Sequence, residues 1–207
     1  VQGIYTHMAK AEDDAAFTAR QLRDFKRAVS TLAREGLRPP LVHAANSAAA
    51  LRSSASRFDM VRPGLAAYGL YEGFSPVLTL KSKLVYIKTV SKGATVSYGA
   101  TWRAPRTSRI ATLPIGYGDG YARSLSNRAS VLVGGRRCPV IGLVTMDQIM
   151  IDVTAAPGAR GGADAVLLGR QQGASVTASE LARLSGTIPY ETVTAISGRV
   201  PRVGMRP

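Results

Sequence analysis

The hydrophobic period of this chain changes once, near residue 75, and that change restricts it to folds built from two unlike parts. Upstream, Leu22, Phe25, Val29 and Leu32 recur three and four residues apart, with Asp13 and Asp14 near the start of the segment and Gly36 just past its end. This predicts an amphipathic helix from Asp14 to Glu35 with signals at both termini. Pro39 and Pro40 break the chain before Leu41-Val42-His43-Ala44, a short strand, and the alanine-rich segment from Ala48 to Leu51 begins another helix. Such alternation predicts βα units of a parallel barrel over residues 1–74. From Leu78 the helical period vanishes. Residues 78–90, 109–113, 129–133, 138–144, 149–153 and 166–169 read as short strands, and Gly134-Gly135 as a hairpin turn. Thr177-Ala178-Ser179-Glu180 is a capping box opening a helix that stops near Gly186. Residues 75–207 are expected to form a mainly β domain, entered through the Gly- and Pro-containing segment Tyr71 to Pro76.

The formal charge of +14 raises the question of an anionic partner. Its arginines, however, are scattered from Arg103 to Arg202 without a tight run or interleaved aromatics, so no nucleic-acid partner is expected. No stretch approaches a membrane span and no signal-peptide pattern opens the chain, which predicts a soluble, cytoplasmic protein with no membrane partner. The single cysteine, Cys138, has no partner for an intrachain disulfide and reads as a small buried apolar residue. His7 and His43 lack the spacing of a helical metal site, and no metal is expected.

Several segments carry chemistry-bearing residues where this fold class exposes them. Asn46-Ser47 stands at a strand-to-helix turn, where it serves as a helix cap, as a phosphate contact, or as both. Met60-Val61-Arg62-Pro63-Gly64 looks like the end of a later barrel strand, the position that builds active sites in barrels. There Pro63 fixes the backbone and Gly64 lets it approach a ligand, while Arg62 is locally indistinguishable from a surface arginine. Tyr98, within Ser97-Tyr98-Gly99-Ala100-Thr101-Trp102, reads by itself as a buried tyrosine at a strand end.

Taken in order, six blocks resemble one family: Thr6-His7-Met8, His43-Ala44-Ala45-Asn46-Ser47, Met60 to Gly64, Ser97 to Trp102, Leu113-Pro114-Ile115-Gly116-Tyr117-Gly118-Asp119-Gly120-Tyr121, and Val144-Thr145-Met146-Asp147-Gln148. They resemble the alanine racemases, pyridoxal-phosphate enzymes that interconvert L- and D-alanine, and the resemblance runs over essentially the whole chain. It implies the C-terminal part of a (β/α)8 TIM-type barrel followed by a mainly β domain. It further implies pyridoxal 5'-phosphate as cofactor, a two-base proton transfer supplying D-alanine for peptidoglycan, and a homodimer whose β domain completes the partner's site. The pyridoxal lysine is expected before Val1. None of Lys10, Lys26, Lys81, Lys83, Lys88 and Lys92 stands in the family's Lys-Ala-Asn-Ala-Tyr-Gly type of context, so the chain is expected to be a fragment of the active enzyme.

The resemblance also assigns roles. Tyr98 matches the base that handles the L-alanine proton, His7 the histidine bonded to it, and Arg62 the arginine behind them, directed at the pyridine nitrogen. Ser47 and the Gly64 backbone match cofactor-phosphate contacts, with Asn46 and Leu65 close by. Met146 matches a backbone contact to the substrate carboxylate and is followed by Asp147, while Tyr117 and nearby Arg123 match the access channel. One departure stands out: the family's ISYRVPR-type segment is Ile196-Ser197-Gly198-Arg199-Val200-Pro201-Arg202 here. Gly198 removes a hydroxyl and bulk, which makes a broader amino-acid racemase the first alternative. A non-catalytic basic binding module or a remnant is the second.

Overall fold

A computed structural model describes residues 1–204. The chain divides into two compact units, Val1 to Ser75 and Pro76 onward.

The first unit begins with β1 (Gly3–Tyr5), α1 (Ala15–Arg34), β2 (Leu41–His43) and α2 (Ser47–Arg52). Asp14 caps α1, its carboxylate accepting the Phe17 N–H at 2.8 Å, and Gly36 takes the left-handed conformation just beyond the helix, with φ of 71°. Leu22 and Phe25 on the apolar face of α1 pack with Met8, Val42, Ala44, Ala45 and Ala49, and Phe25 meets Phe58 edge-on at 5.4 Å. With its apolar face buried, α1 becomes the crossover between β1 and β2, which pair in parallel. Met60 extends the parallel arrangement through a single bridge to His43. All three strand segments therefore point the same way, and their C-terminal ends lie on one side.

The second unit contains β3 (Leu80–Lys83), β4 (Tyr86–Val90), β5 (Thr95–Val96), β6 (Trp102–Arg103), β7 (Ser108–Leu113), β8 (Ser130–Val133), β9 (Arg136–Ile141), β10 (Ile149–Asp152), β11 (Asp164–Gln171), β12 (Ala174–Val176), α3 (Ala178–Ser185) and α4 (Pro189–Thr194). Eight strands form one antiparallel sheet in the order β12-β11-β8-β9-β10-β7-β4, with β3 also paired to β11. Its core is the apolar set Ile110, Leu113, Val131, Leu132, Ile149, Ile151, Val166 and Leu167, all buried. β5 and β6 form a separate small hairpin.

Three expectations change. The single run over 78–90 is two strands, because the chain switches partners at its middle: Leu84 N–H donates to Ala163 and Val85 N–H to Thr112, each at 3.0 Å. The strand expected over 138–144 ends at Ile141, since Gly142 turns to φ of 71°. Tyr98 is no buried strand residue. It lies in the 3-10 turn Tyr98–Ala100 joining β5 to β6, and its surface is 74% exposed.

Candidate functional site

In the first unit the parallel strands bring two of the expected residues, His7 and Arg62, to one end together with His43. Two residues beyond β1 stands His7, β2 terminates in His43, and two residues beyond Met60 stands Arg62. The Arg62 guanidinium gathers these ends. It donates to the Thr6 carbonyl at 3.1 Å, the Ala44 carbonyl at 3.4 Å, His7 Nδ1 at 3.4 Å and, in a very short contact, His43 Nδ1. It also lies 5.4 Å from the Tyr5 ring, and that ring stacks in parallel on His43 at 5.3 Å. A guanidinium has only donors, so each imidazole must accept through Nδ1, which places its ring hydrogen on Nε2. His43 and Tyr5 were not singled out from sequence. The available signal was phase, since both stand at the ends of strands that run in parallel.

A second cluster lies one turn further along the chain. Asn46 is a helix cap, its side chain accepting the Ala49 N–H at 3.0 Å. Ser47 is buried, and its hydroxyl oxygen accepts two backbone donors from the Arg62 loop, Gly64 N–H at 3.0 Å and Ala66 N–H at 3.2 Å. With both lone-pair directions used, what Ser47 retains is its own O–H hydrogen to donate. Gly64 is exposed, whereas Leu65 is buried.

The second unit groups the remaining candidates. The turn carrying Tyr117 and the turn carrying Met146 are bonded to each other, Tyr117 N–H to the Thr145 carbonyl at 3.0 Å and Gly118 N–H to the Met146 carbonyl at 2.9 Å. Gly116 makes this possible, since a Cβ there would lie well under 3 Å from both carbonyl oxygens. The Met146 carbonyl is thus occupied, while its N–H finds no acceptor among the described residues. Arg199 ties in the C-terminal segment, pairing with Asp147 at 2.5 Å and Asp119 at 3.4 Å; hydrogen bonding to Asp147, then the charges of Asp119 and Asp147, raise its pKa further. Asp119 in turn accepts the Gly116 N–H at 2.9 Å. Gly198 is exposed, and nothing lies within 4 Å of where its side chain would begin. Arg123 sits in a short 3-10 turn, Arg123–Leu125, exposed to solvent. No group of three or more metal-ligating side chains occurs among the described residues.

Comparison with known proteins bears on both units. The sequence model of the alanine racemase N-terminal domain matches residues 1–72, and that of the alanine racemase C-terminal domain matches residues 77–204. The chain belongs to the alanine racemase family. It is 46% identical to the alanine racemase of Symbiobacterium thermophilum, covering 98% of this chain and 56% of that protein. It is 44% identical to that of Sorangium cellulosum, covering all of this chain and 58% of the relative. Among solved structures it is similar to the alanine racemase of Bacillus anthracis with bound L-Ala-P, with a TM-score of 0.91 and 41% identity over 99% of this chain and 55% of the other. The chain therefore spans little more than half the length of the alanine racemases it matches. The residues beyond that span include none described above, and the two family matches divide near residue 75 as the structure does.

Proposed function

We propose that this chain supplies the Arg62 cluster and the Tyr98 turn to a pyridoxal-phosphate-dependent alanine racemase, a homodimer interconverting L- and D-alanine. The observation that carries this reading is the donor set around Arg62 and Ser47. Arg62 is satisfied by two carbonyls and two imidazole nitrogens rather than by a carboxylate, so its charge is left for a ligand. Ser47 has one hydroxyl hydrogen to give. A cation that never releases its proton suits an unprotonated ring nitrogen, and a hydroxyl donor suits a phosphate oxygen, so the residues present fit pyridoxal phosphate. When bound, that cofactor withdraws electron density from the α-carbon and so acidifies its hydrogen.

The chain's own residues then handle the proton. Tyr98 takes or returns it on the face from which L-alanine loses it, and a phenol whose ordinary pKa is about 10 needs help to act as a base near neutrality. The resemblance gives that help to His7, whose Nδ1 accepts from Arg62 and whose ring hydrogen therefore sits on Nε2. The N–H of Met146 receives the substrate carboxylate, Tyr117 lines the approach, and Gly64, by turning its N–H from the Ser47 oxygen, gives a backbone contact to the phosphate beside Asn46 and Leu65. Arg62 holds the ring nitrogen unprotonated, which limits electron withdrawal and suppresses transamination. The second base, which is the lysine that carries the cofactor, comes from the portion of the fold this chain does not span. Residues 1–74 belong to the barrel and 75–207 to the β domain, and the β domain serves the partner's barrel in a cytoplasmic enzyme that provides D-alanine for peptidoglycan.

The test is alanine racemisation by this chain given pyridoxal phosphate and the remaining barrel segment in trans, beside Tyr98→Phe. Loss of the L-alanine α-proton exchange in the variant, by 100-fold or more on the order expected for an acid–base residue, supports the assignment. Equal exchange in both rules out Tyr98. The open surroundings of Gly198 favour one variation, a wider substrate range. Racemisation of serine or other larger amino acids at a rate near that of alanine selects it.

A further inference from the structure

We propose that Ser97 is a positioning residue that fixes the direction of Tyr98 by clamping its turn to the segment leading to Met146; the inference rests on the racemase reading above. Tyr98 makes no side-chain hydrogen bond or ring contact among the described residues of its unit, and it is 74% exposed. Its ring is therefore aimed by the backbone on either side of it. That backbone is unusual. Ser97 has φ of 69° and ψ of 173°, a region that is essentially reserved for glycine, and Ala100 has φ of 49°. A serine stays there because its hydroxyl is bonded twice to one residue: it donates to the Leu143 carbonyl at 2.9 Å and accepts the Leu143 N–H at 3.1 Å.

The far end of the turn is tied to the same place. Thr101 Oγ1 accepts from the Asn127 amide at 3.0 Å, and the Asn127 oxygen accepts the Gly142 N–H at 2.6 Å. Gly142 must be glycine for this approach, since its φ is 71° and a Cβ would lie within 3 Å of both the Ser97 side chain and the Val96 carbonyl. Both ends of the Tyr98 turn are thus held at residues 142 and 143, three residues before the Met146 N–H. The strap thus ties the Tyr98 turn to the segment that leads to the Met146 N–H. Alanine at 97 would keep the strained conformation and lose both bonds. Glycine would accept the conformation and lose the bonds as well.

Amide hydrogen exchange on the full chain tests the clamp without activity. In Ser97→Ala and Ser97→Gly the Leu143 amide should exchange at least 10-fold faster, while Ile110 and Ile151 in the sheet change less than 2-fold. An unchanged Leu143 amide overturns the proposal. Racemisation in the assembly described above tests the consequence: both variants should lose about 10-fold or more in kcat with the KM for alanine within 2-fold, and adding either to Tyr98→Phe should cause no further loss. An equal further loss in the Tyr98→Phe background means that Ser97 acts on the fold and not through Tyr98, which also overturns it. If the unsubstituted assembly is inactive, the racemase reading fails by itself, and the exchange rates still decide whether Ser97 fixes the turn.

Discussion

Gly116→Ala is the perturbation that asks most directly whether the Tyr117 and Met146 turns act as one structural unit. Gly116 has φ of −153° and ψ of −160°, extended values open to any residue, so alanine brings no backbone penalty of its own. The cost is steric. The new methyl would meet the Thr145 and Met146 carbonyl oxygens well under 3 Å away, and both belong to backbone that no side-chain rotation can move. The turns must separate, which lengthens the Tyr117-to-Thr145 and Gly118-to-Met146 hydrogen bonds. Two backbone bonds are worth about 1 kcal/mol each, and forcing an extra methyl into a packed contact costs about 1–3 kcal/mol. The expected destabilisation is therefore about 3–5 kcal/mol. Gly158→Ala is the control: it is exposed with nothing within 4 Å, and should change stability by no more than about 0.5 kcal/mol. The fluorescence of Trp102, the chain's one tryptophan, reports on the β unit during denaturant unfolding. A Gly116→Ala midpoint equal to that of Gly158→Ala, with the slope unchanged, refutes the steric argument.

The Tyr121 hydroxyl is buried without a hydrogen-bond partner among the described residues, and burial, reinforced by the charge of Glu180, holds the phenol far above its ordinary pKa. Tyr121→Phe should thus stabilise the β unit by about 1 kcal/mol, and a loss of stability in the same fluorescence assay contradicts that account. Burial first and the charge of Asp152 second push the Cys138 thiol up to about 11. Because the folded form holds this proton more tightly than the unfolded one, the associated stability is present below pH 9 and declines as pH rises from about 9 to about 11. Cys138→Ala should flatten that part of the pH profile, and a disulfide reagent at pH 8 should modify native Cys138 only as fast as the chain unfolds; immediate modification is the contrary result.

The elements that could be read from sequence are those whose cause lies within a few residues. Asp14 and Gly36 bound α1, Thr177 caps α3 by accepting the Glu180 N–H at 3.1 Å, and Gly134 and Gly135 both take positive φ between β8 and β9. The strand break at Leu84 was not legible, because it arises from two partners, Ala163 and Thr112, that are distant in the chain. Helix α4 has Pro189 at its start but lacks a side-chain cap, and only six residues in which a period could show. The family resemblance placed Arg62, His7 and Ser47 near one another by role, yet the sequence held no hint that His43 would take the shortest of Arg62's contacts.

The reason His43 shows no role beside Arg62 in the sequence alone also explains what the Arg62 cluster accomplishes. A histidine at a strand end reads as a general polar residue until a second strand is set beside it in register, and the β1–β2 pairing aligns Tyr5 with His43. That register lets the Tyr5 ring stack on the imidazole and lie against the guanidinium, so one aromatic face orients both. The guanidinium, carried on the third strand end, is then held in a single pose by carbonyl and imidazole acceptors at the ends of the other two. Had a carboxylate taken the place of His43, the pose could have been as rigid, but the charge would have been neutralised and Arg62 would have little left to offer a ring nitrogen. An imidazole accepts the hydrogen bond without cancelling the charge, and that combination is what a permanently cationic donor facing a ligand requires.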